Sequence, residues 1–268
     1  MKSAFLEVQS GIDNSDLQRV APSVFAEKPW DKVSARYSFL PTIEVVNAIK
    51  KETGLVPYSV RQSGTRIEGK EGYTKHMLRF RQPGSDSTPR IWKVGGIIPE
   101  CILVNSHDRA SAFVIGAGVY RLACLNGLLV SVGADSRYKV IHLAQTIETV
   151  LEAVTKVTNG FPQIVDRVAR FQSVTLDLDK QHRLAELALG LRYEKDKSPF
   201  PFYRLLEKRR YQDDKNDLFT VINVIQENLL QGQPSSGRGF RGSRVVSSID
   251  QNMKLNAGLW ELAETFVK

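Results

Sequence analysis

A chain of 268 residues, 42% hydrophobic and 25% charged, has an ordinary globular composition and is long enough to bury a sizeable core. Its formal charge of +8 favours an anionic partner, nucleic acid first, through release of condensed counterions. Two cysteines are too few for a disulfide framework, no apolar run approaches the roughly 20 residues that span a bilayer, and no basic start precedes a long apolar stretch; the reading is a cytoplasmic protein with buried, reduced thiols and no membrane contact.

Residues 1–35 read as an irregular N-terminal arm that docks by Phe25 and Trp30. "PTIEVVNAIKKETG" predicts a helix, with Thr42 as its cap, Ile43, Val46 and Ile49 on one face and Gly54 ending it. From Leu55 the period changes to two. "LVPYSVRQ", "YTKHMLRFRQ", "RIWKVGG" and "ECILVNSHDRASAFVIG" alternate between polar links and predict a β-meander with one apolar and one basic face. "AGVYRLACLNGLLVSV" is ambiguous: a short helix Val119–Leu125 closed by Asn126–Gly127, then a strand Leu128–Val132, is preferred over a continuous strand.

After Lys139 helical spacing takes over. Helices are expected around Leu143–Val157, "QIVDRVARFQ", "DKQHRLAELALG" with Asp179 as cap, "FYRLLEKRRYQ" and "DLFTVINVIQENLL". "QGQPSSGRGFRGSRVVSS" reads as a flexible linker, too polar to pack. The organisation is thus an arm (1–35), an α+β core with a helical second half (36–231), a flexible Arg/Gly/Ser linker (232–246) and a C-terminal docking helix (247–268). The fold class is α+β: an antiparallel β-meander with an N-terminal helix and a mostly helical C-terminal half.

Asn105, Ser106, His107 and Asp108 have the makings of a catalytic group, but four polar residues between two apolar strands are what a turn needs. His107 and Asp108 remain ligand-contact candidates because a turn at a sheet edge can still touch a ligand. No metal site is expected. Cys101, His107 and Cys124 lack paired spacing, and His76, His142 and His182 stand in separate elements. "GAGVYR" lacks the third glycine of a dinucleotide loop, and no phosphate-loop motif occurs, so no cofactor is expected. Asp177 and Asp179 are read as helix caps.

The basic features survive this sieve. Arg61, Arg79, Arg81 and Lys93 on the strands would track phosphates. Arg209 and Arg210, with Arg238, Arg241 and Arg244, would add a second contact, and Tyr37, Tyr73 or Trp92 would stack on bases.

"KVSARYSFLPTIEVV", "TKHMLRFR", "LVNSHDRASAF", "YRLACLNGLLV", "INVIQENLLQG" and "SSIDQNMKLNAGLWELAE" together resemble the phage- and plasmid-borne family called domain of unknown function 932, in order from about Lys32 to the C-terminus. That resemblance implies carriage on bacterial mobile elements and supplies no activity. A looser likeness, in element order and basic strands, is to phage single-strand annealing proteins of the lambda beta, RecT and Erf kind. The expected function is a non-catalytic DNA-binding protein of a mobile element. It would bind and anneal single-stranded DNA, or protect it, as a homo-oligomeric ring or filament. The alternative is a host-directed interaction protein, an anti-defence inhibitor with a basic surface and a host protein partner. An enzyme built around His107, Asp108 and Cys124 ranks last.

Overall fold

The computed structural model describes residues 3–8, 10–33, 37–83, 96–111, 113–121, 126–130, 137–140, 146–194, 196–235 and 241–267. The chain divides into two compact units: 1–92, 98–118 and 132–161 form the first, and 93–97, 119–131 and 162–268 the second.

The first unit is a sheet covered by helices. Strands β1 (Ala4–Glu7), β2 (Val56–Gln62), β3 (His76–Arg81), β4 (Ile97–Asn105, in this unit from Ile98) and β5 (Phe113–Arg121, in this unit to Gly118) are neighbours in that order, and β7 (Arg137–Val140) pairs antiparallel with β5. The pairs β1–β2, β2–β3 and β3–β4 are antiparallel, so the expected meander holds and the fold is α+β. The segment 91–95, expected as a strand, lies outside the described residues. Residues read as an arm supply β1 itself and helix α1 (Asn14–Val20), which Asp13 caps by accepting from Asp16 N–H.

Register sorts the side chains of the meander. Ser59 faces Arg79 and Arg61 faces Met77, while Val60 faces Leu78, which faces Leu103. With a period of two, Arg61, Arg79 and Arg81 share one face. Val60, Leu78, Leu103, His76 and Asn105 share the other. Helix α2 (Thr42–Thr53) buries Val45, Val46 and Ile49 and ends, as expected, on left-handed Gly54 (φ 72°). Its start departs from expectation: the N-cap is Pro41, with no side-chain cap, and the Thr42 hydroxyl is used elsewhere. Helix α3 (Ile147–Asn159) opens with a Thr146/Thr149 capping box.

The second unit is helical around α6 (Leu218–Leu230), capped by Asp217 and buried from Leu218 through Leu229. A helix buried on every side belongs at a centre, and this one takes polar Thr220, Asn223, Gln226, Glu227 and Asn228 inside with it. Packed in the same unit are α4 (Phe161–Ser173, in this unit from Pro162), α5 (Leu178–Arg192) and α7 (Ile249–Thr265). Phe171 of α4 meets Trp260 of α7 at 4.8 Å between ring centres. Asp177, not Asp179, caps α5.

Three further expectations fail here for physical reasons. Val119–Arg121 continue β5 instead of starting a helix, as suits β-branched Val119 and aromatic Tyr120 buried in a sheet. A strand β6 (Asn126–Val130) follows; residues 122–125 lie outside the described set. "FYRLLEKRRYQ" is two short 3-10 turns, Phe202–Leu206 and Tyr211–Asp213, not an α-helix. Its Leu205 and Glu207 carbonyls accept from the Asn228 amide of α6, so a neighbouring helix satisfies them. The stretch expected as a free linker is pinned where it is described. Gln233 N–H donates to Ser243 Oγ, Ser243 N–H to the Gln233 carbonyl, and Val246 N–H to the Leu230 carbonyl. Gly232 and Gly242 permit this close crossing, since a Cβ on either would fall 2.3 Å from the Ser243 carbonyl or 2.7 Å from that of Gln233. No helix among the described residues is long and apolar enough to cross a membrane.

Candidate nucleic-acid interface

The sheet face that sequence assigns to phosphates is buried at Arg79 and Arg81. Glu100 on β4 is fully buried and takes two guanidinium groups at 2.6 Å each, Arg79 through Nη2 and Arg81 through Nε. Arg81 also reaches Glu7 of β1 at 2.7 Å and lies 5.2 Å from the Tyr58 ring centre. Burial works against the Arg81 charge, but Glu100 and Glu7 outweigh it and hold its pKa above the ordinary value. Burial raises the Glu7 carboxyl. Gly118 of β5 makes space for this network: a Cβ there would stand 3.0 Å from Arg79 Nη2 and 2.7 Å from Ile102 Cδ1. Arg79 and Arg81 are therefore structural cations and cannot present a phosphate track, which corrects the expectation. Arg61 is half-buried with its guanidinium 4.8 Å from the Phe5 ring centre, and burial, followed by Arg79, lowers its pKa. Lys93, Trp92 and Arg238 lie outside the described residues.

The acids that neutralise this face have a sequence signal that a count of cations misses. Glu100 stands alone in the buried strand "IIPECILVN", where an unpaired carboxylate would cost several kcal/mol, roughly the effective desolvation penalty of one ion.

The Asn105–Asp108 segment is a turn, as expected. Asn105 ends β4 and the chain turns after it: Asp108 Oδ1 accepts from Ala110 N–H, and Arg109 adopts φ 63°. The histidine is not exposed to a ligand: His107 is fully buried, and its backbone joins Tyr73 and Trp30 through N–H to the Tyr73 carbonyl and carbonyl from the Trp30 N–H. Tyr37 donates to the Ser106 carbonyl, and burial raises its phenol pKa. Asp108 pairs with Lys70 at 2.9 Å, and Lys70 also sits 4.6 Å from the Trp30 ring centre. Tyr37, His107 and, through Lys70, Asp108 thus fasten the N-terminal segment to the turn, and the Tyr73 carbonyl ties the turn to the stretch before β3.

Beneath the turn lies a polar cluster that sequence reading misses. Thr42 Oγ1 is within 2.9 Å of His76 Nε2, 3.1 Å of His107 Nε2 and 3.0 Å of Asn105 Nδ2. Proton counting assigns the donors. His76 Nδ1–H donates to the Thr74 carbonyl, so its Nε2 accepts from the Thr42 hydroxyl; Thr42 then accepts from Asn105 and from His107 Nε2–H. Burial lowers the His76 pKa to about 4. Three side chains, His76, His107 and Asn105, share the Thr42 hydroxyl, which explains why Thr42 is unavailable as a cap. Burial pushes the Cys101 thiol up to about 12, so it carries no thiolate near neutrality. Cys124 lies outside the described residues, and the described residues contain no metal-ligating cluster.

The second unit keeps cations at its surface. Arg209 Nε donates to Asn228 Oδ1 and its Nη1 stands 4.0 Å from Glu227, while its side chain stays 38% exposed. Arg210 forks onto Glu227 at 2.5 and 2.6 Å and stands 3.5 Å from Asp213, which also takes Arg121 at 2.7 Å. Arg210 is thus a structural cation, which corrects its assignment. Tyr211 is 87% exposed and Tyr203 48%. Lys208, Lys215, Arg241 and Arg244 are exposed. The tract 203–215 and the pinned segment meet at the last turn of α6: Gln233 Nε2 donates to the Arg204 carbonyl, and Arg192 donates to the carbonyls of Leu229 and Arg244. A helix C-terminus carries partial negative charge and suits such a gathering of cations.

A family model described as a domain of unknown function, DUF932, matches residues 29–260. UPF0380 protein YafZ of Escherichia coli strain K12 is 35% identical over 260 residues, which covers 96% of this chain and 92% of that protein. UPF0380 protein YfjQ of the same strain matches with the same identity and coverage. No solved structure matches the chain.

Proposed function

The chain belongs to the DUF932 family, whose description assigns no chemistry, and on this molecule's own surface we propose that it is a non-catalytic protein that binds single-stranded DNA through its second unit. One observation carries the reading. Exposed Tyr203 and Tyr211 alternate with exposed Lys208, Arg209 and Lys215, and this tract docks on the same turn of α6 as the segment bearing Arg241 and Arg244. Cations spaced along a surface pair with phosphates, and aromatic faces between them stack on bases without reading sequence. The charge of +8 over the whole chain adds long-range attraction. The arginines of the sheet play no part in it.

Titration of the protein with a labelled single-stranded oligonucleotide at about 50 and 200 mM salt tests this. Binding weakens steeply with salt. The triple variant Arg209→Ala/Arg241→Ala/Arg244→Ala flattens the log–log slope by about 0.7 for each phosphate that is no longer neutralised. No binding at micromolar protein in low salt, or an unchanged slope in the variant, overturns the proposal.

A further inference from the structure

Gly190 lies in the last turn of α5, where glycine weakens a helix relative to alanine. Among the described residues, a Cβ at Gly190 would meet no heavy atom within 4 Å. Gly258 in α7 differs, because its Cβ would come within 3.0 Å of Leu191. The open space over Gly190 belongs to a cavity of about 610 Å³, a size ordinary for a small-molecule site. Its floor is one face of α5, with Glu186, Gly190 and Tyr193 at helical spacing. Its wall is the segment 196–202, which folds back from Asp196 (φ 62°) and brings in Phe200 and Phe202.

Three features decide what the cavity accepts. The charged side chains lining it, among the described residues, are all acidic: Glu186, Glu194 and Asp196. The C-terminal end of α5 adds the negative end of a helix dipole. The Tyr193 and Phe200 rings meet edge to face at 5.8 Å, and such rings attract cations to their faces. One already does so, since the Arg192 guanidinium lies 5.2 Å from the Tyr193 centroid. The ion pairs that Glu186 and Glu194 make with Arg183 and Lys197 are between side chains at least 60% exposed, and such pairs yield readily to a ligand.

We propose that this cavity binds a small organic cation, an alkylammonium or guanidinium compound, held between aromatic faces and carboxylates at the end of α5. The site is independent of the DNA-binding reading. Calorimetric titration of the full chain with choline, with agmatine and with neutral 3,3-dimethylbutan-1-ol tests it. At least one cation binds saturably and the neutral isostere does not. Gly190→Leu fills the cavity and weakens binding by more than about tenfold, while the melting temperature holds or rises because leucine is the better helix former. Asp196→Asn, at an exposed position, weakens binding several-fold. Equal binding of the neutral isostere, full affinity in Gly190→Leu, or no saturation by about 10 mM of either cation overturns the proposal.

Discussion

Arg79 and Arg81 on β3 and Arg209 and Arg241 in the second unit are the same side chain put to opposite uses. The first two are withdrawn from water and share Glu100, with Glu7 as a further anion. Of the second two, Arg241 is exposed, and Arg209 donates to the Asn228 amide oxygen, with Glu227 at the outer limit of an ion pair (4.0 Å) and its side chain 38% exposed. What separates them is counter-charge, not charge. A guanidinium bound to a buried carboxylate is spent on folding, whereas one bound to an amide or to water can still meet a phosphate.

The largest effect that could break this contrast is at Glu100. Glu100→Gln keeps the shape but removes the charge that Arg79 and Arg81 share, leaving Arg81 with Glu7, so stability falls by about 3–5 kcal/mol, the usual cost of breaking a buried pair. Chemical denaturation reads this, and the salt slope of DNA binding by the folded fraction stays unchanged. A variant as stable as the parent would mean that Arg79 and Arg81 are solvated after all.

The next effect separates the neutral cluster of the first unit from its ionic face. His76 is neutral in the fold, with a pKa of about 4, while an unfolded histidine titrates near about 6.5. Below that value the unfolded chain takes up a proton that the folded chain refuses. Stability is therefore full above about pH 6.5 and declines toward pH 4, by about 3 kcal/mol at 1.36 per unit. Melting curves across this window check it, and His76→Gln flattens the decline.

A smaller loss follows at Thr42. Thr42→Val leaves His76 Nε2, His107 Nε2–H and the Asn105 amide without their shared hydroxyl, at a cost of about 2 kcal/mol if only part of the cluster finds new partners. Equilibrium unfolding reads it. A role for Thr42 as a helix cap would have predicted about 1 kcal/mol.

The smallest effect sharpens the other side of the comparison. Tyr211→Ala leaves the melting temperature unchanged, because the ring is 87% exposed, and lowers single-strand affinity several-fold with the salt slope intact. Tyr37→Phe, at a residue that bonds the Ser106 carbonyl, lowers stability and spares affinity. The reverse pattern would move the interface to the first unit.

Much of this architecture was legible in order and period. Alternation from Leu55 onward gave the meander, and apolar spacing gave α2, α4, α5, α6 and α7. Gly54 marked a helix end by its left-handed backbone. Local signals failed where a distant group supplied the missing partner. Thr42 looked like a cap until two histidines claimed its hydroxyl. The tract 202–213 looked helical until Asn228 took its carbonyls. The Arg/Gly stretch looked free until Gln233 and Ser243 closed it.

Sequence by itself determined the α+β class, the run of strands followed by helices, and the placing of Arg79 and Arg81 on one face of their strand, because period and capping act over a few residues; register then added Arg61 to that face. Only tertiary structure decided what that face does. Arg81 meets Glu7 across 74 residues of chain and Glu100 across 19, and Arg210 meets Glu227 across 17. Whether a cation is solvated depends on strand register and on what packs over it, and neither is written in the spacing of the cations themselves.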